Sequence, residues 1–174
     1  MHAANSSSLK QLRALVAKSQ DVAHLHLAGL ERLRNDRCAR TVRAIHRLQT
    51  WRNLELASAC VLLGGLPQLT EKPSLRVWFL AKVLGGDDKR IMQSLEAHHR
   101  GLIDSFDAAL ETPLTEALRR LLEHHRSELV RHRAWMAFRI TELGGRGRRA
   151  RPHGERSRPS RPGFHSVAID ETAA

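Results

Sequence analysis

Nine of the chain's eleven histidines lie before residue 142, and imidazole is both a common metal ligand and the side chain that titrates closest to neutral pH. His26, His99 and His125 continue runs of apolar residues spaced three and four apart, so each is expected to face a core, whereas His24, His46, His98 and His124 are displaced toward flanks. Three inward imidazoles completed by water, a glutamate or a fourth histidine would suit Zn2+. The same pattern also fits neutral core histidines bonded to one another or to backbone. Glu31, Glu55 and His132 are candidate buried polar groups. A buried carboxylate needs a cationic partner, and Glu55, one turn beyond Trp51, is expected to find one on the first or the fourth helix. The last set is cationic. Arg37, Arg40, Arg43 and Arg47 recur at three and four, with Arg52 nearby, and could form a ridge spanning several phosphates. Arg146, Arg148, Arg149 and Arg151 would extend it. No base-reading motif accompanies them, so such binding would be largely non-specific and salt-sensitive.

Four long helical segments position these groups. The first runs from about Ser8 to Arg34 on the stripe Leu9, Leu12, Val16, Ser19, Ala23, His26, Leu30 and Leu33. Asn35 and Asp36 break it, and Asp36 is expected to cap the second segment. That segment, from about Arg37 to Leu63, has the stripe Val42, Ile45, Leu48, Trp51, Glu55, Ser58 or Ala59, and Leu62, and stops at Gly64-Gly65. The third spans about Asp87 to Leu110 with Ile91, Leu95, His99, Leu102 and Phe106 inward, and two acids at its positive end. The fourth follows Pro113, carries Leu114, Leu118, Leu121, His125, Leu129, His132 and Met136, and is expected to stop at Gly144. Between the second and third segments lie 23 residues, Gly64 to Gly86, where an antiparallel turn would need about two to eight. A crossover is expected there, with the Trp78 segment lying across the bundle. With the turns near residues 35 and 112, rise per residue puts His24, His46, His98 and His125 near one height, with His26, His99 and His124 close by and Glu31, Glu55 and His132 at other heights.

The length of 174 residues fits one domain and a tail, 1–143 and 144–174. Residues 144–163 are rich in Gly, Pro and Arg with no aliphatic side chain larger than Ala, so a disordered basic tail is expected. Net charge is +11, of which +8 comes from residues 1–141, so the folded part is itself basic. That field attracts polyanions without selecting among them. Apolar runs fall far short of the ~18 residues of a membrane helix, and the first residues do not form a secretory signal. A cytoplasmic protein without integral membrane association is expected. Cys38 and Cys60 read as reduced, buried small hydrophobes.

The runs DVAHLHLAGLERL, RNLELASACVLLGGLPQL, RVWFLAKVLGGDDKRIMQSLEAHHRGLIDSFDAAL and LLEHHRSELVRH, over about residues 9–140, resemble a bacterial family of ferritin-like four-helix proteins. The marks are Asp21 with Glu31, Glu55, the Leu63-Gly64-Gly65-x-Pro67 break, Trp78 and Asp87-Asp88. The resemblance implies an all-α, ferritin-like four-helix bundle with a crossover between the second and third helices. It implies less about chemistry, because that family's molecular role is not established. Ferritin-like di-iron centres take a Glu from each of two helices and a Glu-x-x-His from each of the others. Glu55 is followed at that spacing by Ser58 and Glu128 by Arg131, so ferroxidase chemistry is disfavoured. The expected function is a non-enzymatic bundle that associates with itself or a protein partner, in bacterial stress physiology by analogy with ferritin-like proteins. The alternatives are non-specific polyanion or nucleic-acid binding and a His-rich Zn-binding bundle.

Overall fold

The computed structural model describes residues 2–67, 69 and 72–149. They form α1 (His2–Leu30), α2 (Asp36–Leu62), α3 (Leu75–Val83), α4 (Asp88–Leu110) and α5 (Glu116–Arg149). Each helix boundary has a local cause. Asn35, rather than Asp36, caps α2: its side chain accepts from the Arg37 and Cys38 amides, and Asp36 becomes the first helical residue, with its charge at the positive end. Asp87 caps α4 by accepting from the Arg90 amide at 2.9 Å, and Ser74 caps α3 through the Val77 amide. Gly64, at φ +78°, supplies the left-handed residue that ends α2.

The Asp88 carboxylate fixes the topology. It accepts the Arg34 amide at 2.9 Å and the Asn35 amide at 2.8 Å, which ties the α1–α2 turn to the start of α4. The starts of α2 and α4 therefore share one end of the bundle. At the other end Ser8 Oγ donates to the Pro113 carbonyl at 3.2 Å, and Thr112 Oγ1 donates to Gln11 Oε1 at 2.6 Å. Helix α1 packs on α2 and α4, and α5 packs on both from the opposite corner. This is the ferritin-like four-helix bundle with its crossover. Helix α3 rests on α1, with Ser74 Oγ donating to Asp21 Oδ2 at 3.0 Å. Val77 is its buried anchor. Trp78 stays half exposed, with Lys82 Nζ 3.7 Å above its ring.

The core is divided in two. One apolar cluster gathers Leu12, Leu56, Leu102, Phe106, Leu122 and Leu129, and the other gathers Leu25, Ile45, Ile91, Leu95 and Met136. Between them on α2 lie Gln49, Arg52 and Asn53, all buried, with His99 on α4 and His132 on α5 in the corresponding gaps. The stripe expected on α2 is thus rotated in its second half. Trp51 is 62% exposed and Leu62 87%, while Arg52 is fully buried. Cys38 and Cys60 are buried and not joined in a disulfide, as expected. Among the described residues no helix is long and apolar enough to cross a membrane.

Helix α5 does not stop at Gly144 but continues to Arg149, six residues into the expected tail. Glycine costs a helix interior about 1 kcal/mol relative to Ala without forbidding it. Here Ile140 and Leu143 still pack on the core just before the pair, and Glu142 pairs with Arg139 at 2.6 Å. The remainder of that tail, Arg151 included, lies outside the described residues. Replacing Asn35 by Ala should cost about 1 kcal/mol in urea unfolding, and replacing Asp36 by Ala no more than about 0.5 kcal/mol. Asp88→Ala, which orphans two turn amides, should cost about 1–3 kcal/mol.

Candidate metal centre

A guanidinium inside the core organises the centre of the molecule. Arg52 on α2 donates through Nη1 to Gln49 Oε1 and through Nη2 to Glu128 Oε2 of α5 at 3.4 Å. Gln49 Nε2 donates in turn to the Ser19 carbonyl at 3.2 Å and to Ser19 Oγ, and Ser19 Oγ donates to Asn53 Oδ1. One polar chain thereby spans α1, α2 and α5. Burial lowers the Arg52 pKa to about 10, with Glu128 and Glu55 opposing the shift, so the group remains charged at neutral pH. For Glu128, burial pushes the carboxyl up, but Arg52 and the nearby imidazoles outweigh it and the net shift is downward.

The histidines fall into two groups, and the division differs from the expected trio. His26 and His99 do meet, with Nε2 to Nε2 at 2.9 Å and ring centroids 4.9 Å apart. His46 flanks this pair at 6.3 Å from His26, and His132 at 6.2 Å from His99, so each of the four bundle helices contributes one ring. His125, expected with them, belongs to a different neighbourhood beside Phe106 and His124. The cause is the last turn: α5 begins only at Glu116, after a capping Thr115. Relative to a turn centred on residue 112, α5 sits about two helical turns, ~10 Å, further along, the seven residues that separate His125 from His132. His132 consequently takes the level assigned to His125. Burial, then neighbouring His46, His132 and Arg52, lowers His26 to about 3. Burial and the adjacent His26 and His132 hold His99 well below its usual value. These rings are neutral at pH 7, and Nδ1 of His26, His46, His99 and His132 is buried without a hydrogen-bond partner.

His125 enters a cluster with metal-ligand character. His124 Nε2 stands 3.9 Å from Glu128 Oε1, and His125 Nδ1 stands 3.8 Å from Glu128 Oε2. One ligand atom from each of these three residues lies within 4.8 Å of the other two. Glu55 Oε2 is 3.3 Å from His125 Nε2, a neutral imidazole rather than the cation expected for Glu55 on the first or fourth helix. His125 itself is lowered to about 4 by burial and by Arg52. The sequence signal that finds the cluster is His124-x-x-x-Glu128, two ligand types one turn apart on a helix face.

The residues do not fit a two-metal ferritin-like centre. Glu31, expected to be buried, follows the end of α1 and is 78% exposed beside Arg32. One Glu-x-x-His does occur, Glu96 to His99, but its two side chains diverge. Glu96 accepts from Arg133 Nε at 2.5 Å and pairs with Arg100 at 3.2 Å, while His99 turns to His26. The cluster His124, His125 and Glu128 is a three-residue set, short of the four carboxylates and two histidines that a ferroxidase needs.

Of the expected cationic ridge, Arg37, Arg40, Arg43 and Arg47 are exposed along α2, but Arg52 is not part of it. Arg37 reaches Glu142 on α5 at 3.7 Å. Arg146, Arg148 and Arg149 fall on the last turns of α5.

Two outcomes follow. Arg52→Met, which leaves Gln49 and Glu128 without their shared donor, should destabilise by about 3 kcal/mol in urea unfolding, against no more than about 0.5 kcal/mol for Arg47→Met. Because His26 is neutral when folded and its pKa is about 3, the unfolded chain alone takes up a proton at this residue between pH 6.5 and that value. Stability is then fully retained above about pH 6.5 and falls as pH drops, by up to ~1.4 kcal/mol per pH unit for this residue. His99 adds a loss of the same sign. Denaturant midpoints measured from pH 7 to 4.5 should show a shallower fall in His26→Gln than in the parent chain.

Neither a scan against protein-family models nor a search of the curated proteins finds a match for this chain.

Proposed function

We propose that this protein is a helical bundle that binds one transition-metal cation of the Zn2+ class through His124, His125 and Glu128. The observation that carries the proposal is the convergence of three ligand atoms within 4.8 Å of one another at a partly exposed position. Two imidazoles and one carboxylate form a familiar three-residue zinc set with a fourth position left for water. The protonation states suit it, since His125 is neutral at pH 7 and the Glu128 carboxyl is shifted downward. Glu55 supports the set from α2: with Nε2 of His125 facing it, Nδ1 is the nitrogen left to bind metal. Arg52 anchors Glu128 Oε2, while Oε1 lies 3.9 Å from His124 Nε2 and 4.0 Å from Arg131 Nη2. Membership of the bacterial ferritin-like family, and with it a non-enzymatic place in stress physiology, belongs to the same proposal. Its support is the bundle with crossover together with the sequence runs quoted above.

Titration of metal-free protein with Zn2+ against a chromophoric chelator should show one equivalent bound. His124→Ala, at an exposed position, should weaken that binding by about tenfold or more while leaving the unfolding midpoint in place. His26→Gln should leave zinc affinity unchanged. Absence of a stoichiometric site, or equal affinity in His124→Ala, would overturn the assignment.

A further inference from the structure

A groove of about 600 Å³ runs between α2 and α5, well away from the three-residue cluster along both helices. Its walls combine two chemistries. Arg37, Arg40 and Arg139 supply guanidinium groups, and Trp135 and Phe138 supply rings that are 48% and 60% exposed. Thr41 and Ala44 form a small-residue floor. Arg139 is held in place by donating through Nε to Thr41 Oγ1 at 3.1 Å and through Nη1 to Glu142 at 2.6 Å, and its Cζ lies 5.4 Å from the Phe138 ring centre. Arg43 and Arg47 continue the line of cations down α2 beyond the groove, both exposed. From Arg40 to Arg47 the helix rises about 10 Å, so the charges are spread along a track.

A single exposed aromatic residue needs no explanation. Two exposed rings inside a groove walled by arginines are a different matter, because ring faces and guanidinium groups together match a ligand that offers flat π surfaces and repeated negative charge. Unpaired nucleobases and their phosphates are that combination: bases stack on aromatic rings and phosphates pair with arginine. A duplex hides its base faces, and an acidic peptide offers charge without stacking. We propose that the α2–α5 groove binds single-stranded nucleic acid, with Trp135 and Phe138 stacking bases and Arg40, Arg43 and Arg47 following the phosphates. This goes beyond the metal reading and is independent of it.

The test uses the full chain and a short fluorescent oligothymidylate in about 150 mM salt. The single strand should bind more tightly than a duplex of the same length and should quench tryptophan emission. Trp135→Ala and Phe138→Ala should each weaken binding on the order of tenfold without changing the slope of log affinity against log salt. Arg40→Gln and Arg43→Gln should instead each reduce that slope by about 0.7. All four positions are exposed, and unchanged thermal melting would show that the bundle is intact. Undiminished binding in the aromatic variants, equal affinity for duplex or heparin, or no binding at this salt would each overturn the proposal.

Discussion

Burying the Arg52 guanidinium constrains everything around it. A charged group removed from water costs several kcal/mol unless hydrogen bonds and an opposite charge replace its hydration. Arg52 recovers this from Gln49 and Glu128, and Gln49 must then be satisfied by Ser19, whose hydroxyl is directed to Asn53. Each link requires particular atoms at particular heights on three helices. Leucine stripes tolerate sliding by a turn, since one apolar contact replaces another. A directed chain of donors and acceptors does not, because a slip would strand a buried cation. The polar layer between the two apolar clusters thus acts as the register pin of the bundle.

The same cation shapes the imidazoles. Its field adds to desolvation at His26, His99, His125 and His132, and in each case the result is a pKa below the ordinary value. Neutral rings can approach one another, as His26 and His99 do, and neutral nitrogens are free to bind metal. The cost is visible in the Nδ1 atoms left without partners. Such atoms sacrifice about 1–3 kcal/mol each, so the layer specifies arrangement at the expense of stability.

Much of this was legible in the sequence, and the failures cluster where the core becomes polar. The stripes of α1 and α4 could be read because their inward positions, Leu12, Val16 and Ser19 or Ile91, Leu95 and His99, keep three-and-four spacing with few competitors. On α2 the spacing also holds, through Val42, Ile45, Gln49, Arg52, Leu56 and Cys60, but three positions carry polar or small side chains. Leu48, Trp51 and Leu62 offer a more apolar alternative on the face that turns outward. Hydropathy selects the wrong face wherever a helix turns its charge inward. The crossover was legible from the length of its connection. The neighbours of His132 were not, because a displacement of about two turns set by the connection at Thr112–Thr115 exchanges it with His125, and rise per residue carries no information about loop geometry.

The rotation of α2 also explains why the candidate chemistry collects on one seam. The α1–α2 and α4–α5 interfaces are closely packed, whereas the α2–α5 seam is the sparsest of the four. Across it the long Arg52 side chain reaches Glu128, so at that level the seam is bridged rather than filled. Toward one end of the bundle, Glu55 meets His125 beside the three-residue cluster. Toward the other, the seam opens into the groove of Trp135 and Phe138. Filling the gap with larger apolar residues would close both places, and it would require withdrawing the guanidinium that keeps the helices in register. The buried charge and the open seam are therefore two consequences of one choice, the turning of Arg52 inward and Trp51 outward.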